Sequence, residues 1–217
     1  TRYISVTGVQ TCALPICGTH LHLTKKRFRL KETAYHNQEF IDGELSGGGG
    51  VSEQYGLPAY QNGLTYVSII NGRAAKLSLT MRGTPDVALA MNGYYLWYDS
   101  TVYIVESTIC SSSLFAGILA KLIANEPNLA RPENLHFKLY ANPTLFLDIT
   151  HGKDDTVTPN NGYKATKGWD PLSGLGAPNT MIDIRNVIYQ PVPRGTFLRT
   201  ECVGFNRITY YADGLGA

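Results

Sequence analysis

The chain has 217 residues, of which 43% are hydrophobic and 17% are charged, so it can bury a core and is not a disordered protein. With 19 basic and 17 acidic residues, its net charge of +2 argues against a nucleic-acid partner, for which a basic excess is typical. The longest apolar stretch, Leu114 to Ala124, contains Lys121 and is shorter than a membrane span. We therefore expect no membrane partner.

The first residues do not resemble native protein. Residues 6–16 read VTGVQTCALPI, the string that a common sequencing-library adapter gives when it is translated in one frame. We therefore expect residues 1–17 to be an assembly artefact, with a native coil as the alternative, and we expect the true N-terminal part to be missing. Two of the four cysteines remain, Cys110 and Cys202, which we interpret as unpaired thiols, with a disulfide bridge as the alternative.

Short strands are predicted early in the native part. Residues 18–23 alternate in polarity and predict a strand on which His20 and His22 share one face, although a zinc site would need further ligands. The SGGGG segment at 46–50 predicts flexible or closely approached backbone and lacks the Gly-Lys-Ser/Thr of a phosphate loop. Residues 51–62 are expected to form a loop.

The middle of the chain carries hairpin signals. Apolar β-branched residues around Asn71-Gly72 predict a hairpin or a loop insertion over residues 64–80. Residues 82–92 predict a turn followed by a short apolar strand, and residues 94–105 predict two aromatic-rich strands.

The clearest helix is predicted over residues 111–124. Apolar residues recur there at helical spacing, and the serine cluster Ser111 to Ser113 is predicted to cap the helix. Small residues on the same stretch favour close packing, so we expect this helix to be largely buried. Shorter helices are predicted at 133–141 and 180–188.

Two carboxylates flank a polar, Gly-rich segment near the C-terminus. Residues 148–179 read DITHGKDDTVTPNNGYKATKGWDPLSGLGAPN, with Asp148 at one end and Asp170 well inside. Side-chain and main-chain oxygens in such a loop suit a hard cation such as Ca²⁺, although the spacing does not fit an EF-hand. The alternative is a metal-free surface loop in which both aspartates cap turns.

Four segments in order resemble the sedolisin family of serine-carboxyl peptidases, acid-active enzymes with a subtilisin-like fold. They are SGGGGVSEQYGLPAYQ at 46–61, RGTPDVALAMN at 82–92, YIVESTICSSSLFAGI at 103–118, and DIT at 148–150 with GYKATKGWDPLSGLGAPN at 162–179. Each segment alone is weak evidence for this resemblance, but four segments in the family's order, with the GWDPxxGLGxPN motif, are specific to it. The resemblance covers roughly residues 18–187.

The resemblance implies an α/β fold, a subtilisin-like three-layer parallel sheet with flanking helices. Residues 18–189 are expected to be the C-terminal half of such a domain, and no role is assigned to the tail at 190–217. Family membership also implies peptide or protein substrates and a secreted, extracellular or lysosome-like acidic location.

The resemblance places an unreactive residue at the nucleophile position. The LFAGI string at 114–118 aligns Thr108 with the family's Thr and Ile109 with its catalytic Ser. Isoleucine has no group that can attack a carbonyl. The family's acid-base pair and oxyanion Asp lie upstream of the matching region, so no Glu or Asp here inherits those roles. We therefore expect an inactive chain.

The resemblance also implies a ligand set for Ca²⁺. Asp148 and Asp170 would supply side-chain oxygens, and water would complete the shell. Backbone carbonyls would come from Ile149, Thr166 and Gly168, with Trp169 packed beneath the loop.

Two other interpretations stay open. One is a non-catalytic calcium-stabilised binding or scaffold protein, a pseudopeptidase that kept the fold. The other is an unrelated loop-rich α/β binding module. Since a sheet cut in half leaves an unpaired edge, we expect poor solubility or self-association, while the oligomeric state itself is left open.

Overall fold

A computed structural model describes residues 16–23, 29–40, 43–125, 135–158, 161–189, 198–202 and 208–212. Most of the expected artefact segment and of the predicted tail therefore lies outside the described residues. The first strand begins at Ile16, so Ile16 and Cys17 are paired in a sheet. The domain boundary at residue 18 stays a prediction.

The chain forms seventeen described strands and three described α-helices. The strands are β1 Ile16–Leu23, β2 Arg29–Ala34, β3 His36–Phe40, β4 Gly43–Ser46, β5 Gly50–Gly56, β6 Thr65–Ile70, β7 Arg73–Ser78, β8 Met81–Thr84, β9 Val87–Ala90, β10 Tyr94–Tyr98, β11 Thr101–Val105, β12 Phe146–Leu147, β13 Lys153–Thr158, β14 Asn161–Lys164, β15 Ala177–Pro178, β16 Leu198–Cys202 and β17 Ile208–Ala212. The helices are α1 Thr108–Asn125, α2 Leu135–Ala141 and α3 Met181–Tyr189.

The centre of the fold is a three-stranded sheet in the order β2-β1-β9. β1 runs parallel to β9 and antiparallel to β2. Helix α1 packs on β1 and β9, and the Ala88 N–H donates to the Gly176 carbonyl at 3.0 Å, which places the end of the C-terminal loop beside β9. Helix on parallel strands is the α/β layering that was predicted, although β1–β9 is the one parallel pair among the described strands.

A four-stranded antiparallel sheet in the order β13-β14-β6-β7 lies outside this centre. The β6–β7 turn has positive φ at Asn71 (50°) and Gly72 (75°), as a tight hairpin turn requires, so the predicted hairpin is confirmed. On its other side, β6 pairs with β14. The Ser68 hydroxyl supports this pairing by donating to the Gly162 carbonyl at 3.2 Å. The segment between the two predicted metal-binding aspartates is thus partly sheet.

Two local predictions need correction. The first half of the segment expected to be a loop at 51–62 belongs to strand β5, which pairs with β8. The turn expected at the start of 82–92 belongs to β8. β5 lacks an apolar alternation of its own, so its distant partner decides its conformation. The aromatic hairpin at 94–105 is confirmed, with positive φ at Asp99 and Ser100 in its turn.

Helix α1 begins at Thr108, three residues before the predicted start. The Ile109 N–H donates to the Ser107 hydroxyl oxygen at 3.1 Å, so Ser107 supplies the cap. Ser111 lies inside the helix, and its hydroxyl is 3.0 Å from the carbonyls of both Leu89 and Ala90. The prediction that the helix starts at the serine cluster is therefore wrong.

The expectation that α1 is largely buried is also wrong. Its buried side chains are Ser111, Phe115 and Leu122, whereas Ile109 is 74% exposed and Leu114 is 41% exposed. One face therefore contacts β1 and β9, and apolar residues also occupy the open face.

Length and composition alone would let α1 cross a membrane, and it is the one described helix of which this is true. The prediction that no apolar stretch is long enough to span a membrane was based on Leu114 to Ala124. It is corrected, because α1 extends this stretch to Thr108–Asn125. A single such helix is weak evidence for a span, since the core helix of a soluble protein meets the same criteria.

A buried core joins the central sheet to the C-terminal loop. Its members are Leu79, Val87, Leu89, Phe115, Leu122, Leu139, Phe146, Trp169, Leu175, Ile184 and Val187. The Trp169 ring lies so close to Gly83 that a Cβ there would be 2.4 Å from it, and the indole N–H donates to the Pro85 carbonyl at 2.9 Å. The indole is therefore held by a hydrogen bond and packs directly against Gly83, where no side chain larger than hydrogen fits.

A fully buried carboxylate, Asp86, organises the contact between the sheet and α2. Its oxygens lie 2.7 Å from Arg82 Nη2, 2.8 Å from the Tyr140 hydroxyl and 3.4 Å from His136 Nε2. Burial and then the Asp86 charge raise the pKa of Tyr140 well above its usual value. Burial alone would lower the pKa of Arg82, but Asp86 raises it, so the guanidinium stays charged.

We predict that Asp86→Ala lowers the free energy of unfolding by about 3–5 kcal/mol, because it leaves the buried Arg82 guanidinium without its carboxylate. Urea unfolding of the full chain measures this loss. Glu53→Ala removes an exposed carboxylate and serves as the control. Equal midpoints for the two variants would contradict a central role for Asp86.

Candidate metal centre and nucleophile position

The two predicted metal-binding carboxylates, Asp148 and Asp170, both hydrogen-bond the short turn at residues 166–168. Asp148 directly follows β12, and Asp170 opens a turn closed by two hydrogen bonds with Gly174, one of them from the Gly174 N–H at 2.8 Å. Gly174 has a φ of +60°, and a Cβ there would lie 2.4 Å from the Asp86 carbonyl oxygen. Glycine is therefore required both by the turn and by its neighbour.

Asp170 is completely buried and accepts four hydrogen bonds. Its Oδ1 accepts from the N–H groups of Leu172 and Ser173, each at 2.9 Å, and from the Ser173 hydroxyl at 3.1 Å. Its Oδ2 accepts from the Thr166 N–H at 2.9 Å. Oδ1 is saturated by these donors, whereas Oδ2 has room for one more partner. Sequence reasoning missed Ser173, although an Asp followed by Ser three positions later is typical of an Asx turn.

The two carboxylate oxygens of Asp148 differ in their hydrogen bonding. Its Oδ2 accepts from the Gly168 N–H at 2.9 Å, while its Oδ1 is buried without a hydrogen-bond partner. Since Thr166 bonds Asp170 and Gly168 bonds Asp148, both carboxylates hold the same short turn. A buried carboxylate oxygen left without a donor costs free energy unless a cation contacts it.

The other predicted ligands lie in the same two segments. Ile149 is buried directly after Asp148, and Thr166 and Gly168 form the turn between the carboxylates. Within the described ranges, no three His, Cys, Asp or Glu side chains gather as a metal cluster. A cation here would rest on two carboxylates and main-chain oxygens, a donor set that suits Ca²⁺ and does not suit zinc.

Burial dominates the electrostatics of this loop. Desolvation raises the pKa of Asp170 from its ordinary value of 3.8 to about 7, although the donors Thr166, Leu172 and Ser173 oppose the rise. The charged form of Asp170 is therefore costly near neutral pH when no cation is bound.

The nucleophile position holds an apolar side chain in the first turn of α1. Ile109 is 74% exposed there, and its N–H is bonded to Ser107. The nearby serine hydroxyls are occupied by the backbone: Ser111 bonds strand carbonyls, and Ser112 donates to the Thr108 carbonyl at 3.1 Å. Ser111 and Ser112 thus make structural contacts inside the fold, in place of the capping role that was predicted for them.

A polar cluster behind the helix start was not anticipated from the sequence. The Tyr35 hydroxyl donates to the Glu106 carboxylate, and the His20 ring stacks on Tyr35 at 5.6 Å and on His22 at 4.3 Å between centroids. Burial and then the His22 charge lower the pKa of His20, while Glu106 opposes them. The shared face of the two histidines was visible in the alternation of β1, but their juxtaposition with Glu106 was not.

Curated relatives align with this chain. No family model matches it. Kumamolisin from Bacillus sp. (strain MN-32) is 34% identical over 173 residues, which are 74% of this chain and 28% of the relative. Physarolisin from Physarum polycephalum is 32% identical over 147 residues, 62% of this chain and 26% of the relative. Tripeptidyl-peptidase 1 from Dictyostelium discoideum is 30% identical over 148 residues, 64% of this chain and 25% of the relative.

Over these matched residues, the chain is similar to members of the sedolisin family. It spans about a quarter of the length of these relatives. Among solved structures, Pseudomonas sedolisin, a serine-carboxyl proteinase, superposes with a TM-score of 0.61 at 24% identity, over 80% of this chain and 44% of that one. This likeness confirms the predicted α/β, subtilisin-like fold class.

In the presence of a chelator, we predict that stability falls as the pH rises from about 4 to about 7, because the folded pKa of Asp170 lies above its unfolded value. Below this window, the carboxyl is protonated in both states. Above it, the folded state holds a buried negative charge, which lowers the free energy of unfolding by about 2–4 kcal/mol. Thermal melts in EDTA at several pH values measure the slope. Asp170→Asn should flatten it, and an unchanged slope in that variant would contradict the assignment.

Proposed function

We propose that this chain is a calcium-stabilised, sedolisin-family peptidase segment that does not itself hydrolyse peptide bonds. The observation that supports the loss of activity is Ile109, an exposed aliphatic side chain in the first turn of α1. The lineage is that of serine peptidases, since the aligned relatives include a tripeptidyl-peptidase and kumamolisin.

The chemistry of the helix start explains why this one position decides the activity. The N-terminus of a helix presents free N–H groups and a positive dipole end, which favour the negative charge that develops during acyl transfer. A serine hydroxyl there can attack once a base removes its proton, whereas isoleucine offers neither a lone pair nor a proton to transfer. The first turn of α1 therefore lacks a nucleophile at Ile109.

We further propose that Ca²⁺ binds between Asp148 and Asp170. Asp148 Oδ1 is buried without a hydrogen-bond partner, and Asp170 Oδ2 has spare capacity. The carbonyls of Ile149, Thr166 and Gly168 are the proposed main-chain ligands. The ion would supply positive charge that offsets the desolvation of Asp170, and these residues would hold the loop against β12 and β15.

Substrate class and location follow from the lineage alone. Peptides or proteins are the proposed substrates of a complete, active relative, in keeping with the names tripeptidyl-peptidase 1 and serine-carboxyl proteinase. We propose a secreted, extracellular or lysosome-like acidic location for the same reason.

A second candidate is a calcium-stabilised binding or scaffold protein, a pseudopeptidase with a role of its own. One contrast favours it: the loop around Asp170 keeps a dense set of hydrogen bonds, while the residue at the nucleophile position has lost all reactivity. Selection that acts on the loop and no longer on catalysis would produce an intact loop beside an unreactive residue at the nucleophile position. Peptide binding without turnover would distinguish this candidate from a merely corrupted peptidase.

We predict that Ca²⁺ at about ten times its Kd raises the melting temperature of the full chain by about 3–6 °C, because it binds the folded loop and not the unfolded chain. EDTA should reverse the rise, and Asp148→Asn should abolish most of it. Asp99→Asn removes an exposed carboxylate from a distant turn and should leave the rise intact. Equal shifts in both variants, or no shift in the parent chain, would rule out this site.

We predict that the full chain releases no product from fluorogenic peptides between about pH 3 and pH 7, the range in which carboxylate bases act. Ile109→Ser should also stay silent, because a hydroxyl without a positioned base is a weak nucleophile. Ile109→Ala is the control for local packing. Turnover by the parent chain would refute the proposal, and turnover by Ile109→Ser alone would show that the remaining catalytic groups are present.

A further inference from the structure

A chain of ring and hydroxyl contacts runs from strand β1 to the start of helix α1. The rings of His20 and His22 lie parallel, with an interplanar angle of 3° and 4.3 Å between their centroids. His20 also stacks on Tyr35, with 5.6 Å between centroids, and the Tyr35 hydroxyl donates to the Glu106 carboxylate. These four residues are here termed the histidine array.

The geometry of the strands explains how the array forms. Residues two positions apart on a strand point to the same side, so β1 places both imidazoles on one face of the sheet. Tyr35 directly follows β2, the antiparallel neighbour of β1. Glu106 lies two residues before α1 begins at Thr108. The histidine array therefore ties the β1–β2 ribbon to the first turn of α1.

The charges that face the two imidazoles disfavour a second positive charge. Lys31 pairs with His22 across the ladder and so lies on the same side of the sheet. The Thr33 hydroxyl, 3.2 Å from His22 Nε2, is neutral. Glu106 favours the protonated form of His20, and the first turn of α1 holds no acidic side chain. One carboxylate thus opposes two imidazoles and a lysine.

Acid should therefore weaken the stack. Charges on two rings 4.3 Å apart repel each other more strongly at a half-buried site than in bulk water. Burial and then the His22 charge lower the pKa of His20, so folding disfavours its protonation. Since the folded pKa lies below the ordinary value of 6.5, the stability that the array contributes is fully present above that pH and is lost as the pH falls below it.

We propose that the histidine array is an acid-sensitive latch on the start of helix α1. At neutral pH the uncharged rings stack, and Tyr35 holds Glu106 beside the cap residue Ser107. In acid, repulsion separates the two imidazoles, and Glu106 leaves Tyr35 to neutralise one of them. The first turn of α1 then opens more often in acid than at neutral pH. The latch needs neither the proposed Ca²⁺ site nor the loss of the nucleophile.

Histidine NMR of the full chain tests the electrostatic step. The ring signals of His20 are followed from about pH 4 to pH 8, a range that brackets the ordinary histidine pKa, in EDTA to keep metal ions off the rings. The pKa of His20 should lie below 6.5. In His22→Gln it should rise, because the like charge is gone while burial remains. A pKa of His20 at or above 6.5 in the parent chain, or no rise in the variant, would overturn the proposal.

Hydrogen exchange tests whether the array acts on the helix. The N–H groups of Ile109 and Cys110 both donate to Ser107 oxygens, so their exchange reports on the first turn. After correction for the intrinsic rate, exchange should be faster at about pH 5 than at about pH 7, by up to about tenfold for each unit by which folding lowers the pKa of His20. His20→Gln should remove this pH dependence.

His151→Gln is the matched control for His20→Gln. The His151 side chain is exposed, and its ring lies 3.1 Å from the Thr150 hydroxyl. This variant should keep the pH dependence of the parent chain, including any part that comes from Asp170. Equal pH dependence in the parent chain and in His20→Gln, or an equal loss in both histidine variants, would show that the array is not a latch.

Tyr35→Phe separates the two ends of the array. It keeps the ring that stacks on His20 but loses the hydroxyl that holds Glu106. The pKa of His20 should stay below 6.5, while the first turn of α1 should exchange fast at both pH values. Constant emission of Trp169, which is 3% exposed, confirms that each variant is folded. Slow, pH-dependent exchange in a folded Tyr35→Phe would overturn the proposed link to the helix.

Discussion

The buried segment Pro85–Asp86 is the constraint on which the rest of the structure depends. The Asp86 carboxylate holds Arg82 and α2, while its carbonyl accepts the Leu175 N–H at 2.9 Å and the Pro85 carbonyl accepts the Trp169 indole. Two consecutive residues thus join the central sheet, a helix and the carboxylate loop. The proposed metal loop is therefore an extension of the core and not a surface appendage.

The two parts of the candidate site follow opposite physical requirements. Asp170, the proposed metal ligand, is buried, so hydrogen-bond donors of its own turn satisfy its carboxylate even when no ion is present. A nucleophile works because it is accessible at the end of a helix, where little else depends on it. A change of side chain at the exposed Ile109 therefore costs the fold almost nothing, whereas loss of Asp170 would disturb a whole turn. In such a chain, a substitution can remove catalytic activity without lowering the free energy of unfolding.

Features with local signals were predictable from the sequence. The Asn71-Gly72 turn specifies its hairpin through positive φ, and the apolar period of 111–124 specifies most of α1. The five proposed ligands were found by motif, and the structure brings their two segments together, with Thr166 and Gly168 bonded to the two carboxylates.

Features that depend on distant partners were not predictable. β5 is a strand because β8 lies beside it. Burial of α1 was expected from its small residues, but a local pattern reports which face can pack closely and not what covers it. The Asp86 network joins residues from two segments about fifty positions apart, so no local window contains it.

The pairing of β14 with β6 couples two stretches of the chain that look independent. Ser68 and Gly162 lie 94 positions apart, yet they are neighbours in one ladder. Because side chains alternate between the faces of a sheet, inserting one residue into either ribbon would turn every following side chain to the wrong side. Evolution can therefore lengthen or shorten these two stretches only by compensating steps, and relatives should show paired insertions and deletions there.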